Sequence, residues 1–106
     1  MVSLPTKRTG IHNTLFASTK GYASERLGPR IKIAVDPPTR LIAAGKAAFM
    51  LLGNFYVGGY PIPADIAEQV RRFIELNRDA LTAYWNGDID TGDFLERVRP
   101  IGDDNP

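Results

Sequence analysis

The chain has 106 residues, of which 43% are hydrophobic and 24% charged, and its formal net charge is +1. That size and composition suit one ordinary globular domain and exclude fibrous and wholly disordered classes. The sequence has no cysteine, which excludes disulfides, thiolate metal sites and cysteine nucleophiles and fits a cytoplasmic setting.

The near-neutral total hides an asymmetry. Residues 1–53 hold eight basic and two acidic side chains, a balance of +6. Residues 54–106 hold five basic and ten acidic, a balance of −5. Such a split marks either a partner surface on one half or two halves that neutralise each other.

Residues 1–28 are rich in Thr, Ser, Gly and Lys. They read as a flexible or partner-ordered basic arm, with room for a short strand at Thr14–Ala17. Lys7 and Arg8 are followed by polar Thr9, His12, Asn13 and Thr14, so no secretory signal is expected. Pro29 opens a clearer element. Ile31, Ile33 and Val35 alternate with Arg30, Lys32 and Ala34, the period-two pattern of a half-buried strand. Asp36-Pro37-Pro38-Thr39 ends it, because consecutive prolines donate no ladder hydrogen bonds.

Leu41–Gly45 fits a short helical turn or a loop. Ala47–Leu52 and Phe55–Val57 are β-prone runs joined at Gly53-Asn54, and Gly58-Gly59 closes the strand region. Leu41 to Gly59 reaches the length of a membrane span, but Lys46, Asn54 and four glycines break it, so no membrane insertion is expected.

The strongest signal follows Pro61-Ile62-Pro63. Ile66, Val70, Phe73, Ile74, Ala80, Leu81, Tyr84 and Trp85 fall on one stripe, predicting a helix over Ala64–Asn86. Its other face carries Glu68, Arg71, Arg72, Glu75, Arg78 and Asp79. Gly87 suits the left-handed C-cap. Asp90 or Thr91 then caps a short helix holding Phe94, Leu95 and Val98, which Pro100 stops. Residues 102–106 read as an acidic tail. The expected fold is α+β: a single domain over residues 29–101, a short antiparallel β meander packed by one long helix and a short final helix.

Chemical motifs are sparse. His12 is the single histidine, and a histidine-based centre needs partners that the sequence does not point to. Asp88–Asp93 looks like a calcium loop but lacks the glycine and glutamate at the required positions, whereas two helix caps account for it. Gly45-Lys46 lacks the spacing of a phosphate loop. No catalytic residue, metal site or cofactor is expected.

The basic strand is the best candidate surface. Arg30 and Lys32 share a face, Arg26, Arg40 and Lys46 lie nearby in sequence, and Tyr22 offers a ring. Phosphates track such cations and bases stack on such a ring.

Asn77-Arg78-Asp79-Ala80-Leu81-Thr82-Ala83-Tyr84-Trp85, preceded by Pro61-Ile62-Pro63 and followed by Arg97-Val98-Arg99-Pro100-Ile101, resembles a small bacterial family of unknown function found beside toxin–antitoxin-type cassettes. The resemblance covers roughly residues 29–101. Many family members carry Pro-Pro-His-x-His in the first strand region, where this chain has Pro29-Arg30-Ile31-Lys32-Ile33. The histidine pair is replaced by Arg30 and Lys32, which argues against an enzyme of that kind. The resemblance implies a shared fold and a neighbourhood of accessory proteins.

The leading expectation is a non-catalytic binding protein that uses the Pro29–Val35 strand, its edge or the arm. Its partner would be a protein: a second copy forming a homodimer, a cognate cassette protein, or a host or phage nucleoprotein complex of the kind an inhibitor targets. The alternative is a nucleic-acid binder or a small nuclease-like toxin using His12, Arg30 and Lys32.

Overall fold

The structure is a computed structural model, and it describes residues 1–20 and 28–102. Its centre is the strand that the alternation from Arg30 predicts. In chain order the elements are β1 (Val2–Leu4), α1 (Thr6–Thr9), β2 (Leu15–Ala17), β3 (Arg30–Asp36), β4 (Lys46–Leu51), β5 (Val57–Gly59), α2 (Ala64–Asn86) and α3 (Thr91–Arg97). The sheet runs β1-β2-β3-β4-β5, and every neighbouring pair is antiparallel. The fold is therefore an α+β meander packed by a long helix and a short one.

The pleat sorts side chains cleanly, because successive residues point to opposite faces. Leu4, Leu15, Ala17, Ile31, Ile33, Ala48 and Met50 point inward. Against them α2 lays Val70, Phe73, Ile74, Ala80, Leu81 and Tyr84. Burying each larger apolar side chain contributes about 1.5–3 kcal/mol. Helix α2 has the bounds its stripe predicts, and Gly87 takes φ 79° at its C-cap. Asp90 caps α3, accepting a hydrogen bond from the Asp93 amide at 2.8 Å. Tyr84 stacks on Phe94 at 4.5 Å between centroids and shares a hydrogen bond with the Thr91 hydroxyl.

Residues 1–20 depart from the expected arm. They form β1, α1 and β2, and Leu4, Ile11 and Leu15 are fully buried. Their apolar residues are few, but spaced to fall on the inward face. The end of the chain closes over them: the Ile101 amide donates to the Thr9 carbonyl at 2.9 Å, and Arg8 donates to the Leu95 carbonyl. Residues 21–27 of the arm and residues 103–106 of the acidic tail lie outside the described residues.

The strand expected at Phe55–Val57 lies later, at Val57–Gly59, and the strand region ends there as Gly58-Gly59 predict. Of the two alternatives at Leu41–Gly45, the structure has the loop, with a turn in it.

Candidate nucleic-acid interface

Residues of opposite parity build the other face of the sheet. Strand register aligns Ser3, Phe16, Lys32, Phe49 and Gly58 in one row across all five strands. Of these five only Phe16 is buried. Lys32 is thus exposed at the centre of the sheet, with a phenyl ring on each side. Phe16 is only 9% exposed, whereas Phe49 is half-buried.

Phe49 rests over a strand that has no side chain to oppose it. A Cβ placed on Gly58 would meet the Phe49 ring at 2.3 Å. Tyr56 lies beside Phe49, centroids 6.3 Å apart, and is 58% exposed. One ammonium and two accessible aromatic rings therefore share the outer face, on which Phe16 and Ala34 are buried and Arg30 meets Trp85 of α2.

The six residues singled out by sequence are only partly gathered. Tyr22 and Arg26 lie outside the described residues. Arg30 and Lys32 share the outer parity of β3, as the alternation predicts. The Arg30 guanidinium lies over the Trp85 ring at 5.6 Å and donates to the Gly28 carbonyl, so it turns toward the sheet end. Arg40 is exposed in the β3–β4 connection. Lys46 has the parity opposite to Phe49 and sits over Tyr60 at 5.4 Å. Its place is the sheet end beyond the Ala34/Asp36 irregularity.

β3 also has no open edge. β2 and β4 take both of its sides, so pairing a partner strand with it is excluded. The sheet's edges are β1 and β5. The nuclease constellation is not assembled either. His12 is exposed beside Asn13 and Thr14, which bond to the Ala34 and Pro38 carbonyls. Arg30 starts β3 at its far end, four residues or about 13 Å from Ala34.

Charge in the described residues is not balanced between the halves. Both ion pairs, Arg71 with Glu68 and Arg71 with Glu75, lie inside α2. The Arg71 hydrogen bonds hold the Glu68 carboxyl below the usual glutamate range and raise the Arg71 guanidinium in return. Lys32 has no such partner among the described residues.

No family model, curated protein or solved structure matches this chain. Function is therefore argued from the surface alone.

Phe49 and Tyr56 were not legible as surface residues. Their runs read as buried strand, and only the register of Phe49 with Lys32 and the contact of Tyr56 with Phe49 show that they border the lysine. Alternation within Ala47–Leu51 was the one available signal, and its apolar letters mask it.

Proposed function

We propose that this chain is a non-catalytic binding protein that takes single-stranded nucleic acid on the outer face of its sheet. One observation carries the reading: a lysine at the sheet centre with no ion-pair partner among the described residues, flanked in register by phenyl rings and bordered by exposed Tyr56. An ammonium pairs with phosphate, and a ring face stacks any unpaired base. A base held in a duplex offers no free face, so the surface favours a single strand.

The test is fluorescence anisotropy with a labelled single-stranded oligonucleotide, starting at 50 mM salt. Tyr56→Ala is expected to weaken binding by about 1–3 kcal/mol, the value of one base–aromatic stack. Lys32→Gln should reduce the salt slope by about 0.7, one phosphate contact on a single strand. No binding at low salt would overturn the reading.

A protein partner is the second reading, and the sheet edges β1 and β5, unpaired among the described residues, favour it, since an extended segment adds to an open edge. Peptide binding that survives Lys32→Gln and Tyr56→Ala would select it.

A further inference from the structure

A cavity of about 310 Å³ opens where the end of β4 faces α2. Pro29, Leu51 and Leu52 supply apolar surface, and Asn54, Arg78 and Thr82 supply polar groups. No carboxylate among the described residues lines it.

Arg78 is held by two contacts. It donates to the Leu52 carbonyl at 2.6 Å, and its guanidinium lies over the Phe55 ring at 5.4 Å. That bond uses one of its five N–H donors, and among the described residues it makes no other. Arg71 covers the same ring at 5.8 Å, but Glu68 and Glu75 neutralise it. Arg78 has no carboxylate within ion-pair distance among the described residues. Asn54 uses its carboxamide oxygen to accept the Tyr56 amide at 3.0 Å, leaving its nitrogen as a donor. Thr82 adds a hydroxyl.

We infer that this cavity is a phosphate subsite. A positioned guanidinium and neighbouring neutral donors, with no competing carboxylate among the described residues, match the acceptor oxygens of a phosphate. Leu51 pairs with Arg30, and Arg30 is two residues from Lys32, so the cavity continues the line of the outer face. The inference rests on the single-strand reading for the source of its ligand: a phosphate of the strand that crosses Lys32.

The experiment is an amide NMR titration of the intact chain with inorganic phosphate, with acetate as the control. Gly53, Asn54 and Thr82 amides should move together on one saturation curve, and acetate should move them less. Thr82→Val, chosen because it leaves the Arg78 contacts in place, should weaken the response several-fold. Arg78→Lys should weaken it further, because the charge stays and the planar fork is lost. An oligonucleotide with a 5′-phosphate should bind several-fold tighter than one without, and Arg78→Lys should erase that difference.

No movement by about 20 mM phosphate, weaker than any millimolar site, would overturn the subsite. An equal response to acetate would do the same. Oligonucleotide binding that needs Lys32 but ignores both Arg78 and the 5′-phosphate overturns the subsite and keeps the sheet face. Phosphate shifts at the cavity without oligonucleotide binding keep the subsite, assign it to a free phosphorylated molecule, and overturn the sheet-face reading.

Discussion

Asn77 and Arg99 bond to each other as two residues of neighbouring strands do. The Asn77 carboxamide accepts from the Arg99 amide at 2.8 Å and donates to the Arg99 carbonyl at 2.9 Å. Its second N–H goes to the Phe73 carbonyl at 3.1 Å. The backbone at Asn77 leaves helical geometry, with φ −113° and ψ 18°. A buried amide thus fastens the chain after α3 to the middle of α2, with every polar atom used.

Replacing that amide should be costly. Asn77→Leu keeps bulk but strips both bonds from the Arg99 backbone. We expect a loss of about 1–3 kcal/mol, the cost of orphaned polar groups. Urea denaturation measures it, and a change below a few tenths would remove Asn77 from the stabilising set.

Gly10 and Gly87 form an internal comparison. Both have φ 79°. A Cβ at Gly10 would stand 2.3 Å from the Ile101 carbonyl oxygen, whereas nothing lies within 4 Å of one at Gly87. Gly87→Ala should cost about 1–2 kcal/mol, the left-handed backbone penalty alone. Gly10→Ala should cost more, because the Thr9–Ile101 closure must also shift. Equal thermal shifts in the two variants would contradict that closure.

Trp85 is the only tryptophan and is 6% exposed. It lies outside the main core cluster, beneath the Arg30 guanidinium, and its carbonyl accepts from the Lys20 amide. Trp85→Ala should cost about 3–5 kcal/mol, as removal of a buried aromatic does. Calorimetry checks this, and a melting point near that of the parent would sink it.

The Glu68–Arg71 pair carries a pH signature. Arg71 lowers the folded-state pKa of Glu68, chiefly by side-chain hydrogen bonding. A lowered carboxyl stabilises the folded state above its unfolded pKa, and the contribution disappears as pH falls through the folded value. Both side chains are at the surface, so the contribution is small. In an NMR titration Glu68 should ionise below an ordinary glutamate, and Arg71→Gln should return it to the ordinary range. An unchanged midpoint in that variant would disprove the coupling.

Sequence by itself determined the elements with strong local physics. The helical stripe and Gly87 delimited α2, alternation found β3, and Asp90 marked the α3 cap. These signals are short-range, since periodicity and caps involve residues within a few positions of each other. Tertiary structure alone decided the rest. It placed β3 at the centre of the sheet, closing the edge that was expected to bind, and built residues 1–20 into the core. Register decided that Lys32 stands between Phe16 and Phe49, and it sent Lys46 to the opposite parity. Packing turned Arg78 from a residue on the polar helix face into the guanidinium of a cavity. Each of these depends on pairings between residues far apart in the chain. A one-residue slip in any such pairing would exchange the two faces, and no local pattern specifies it.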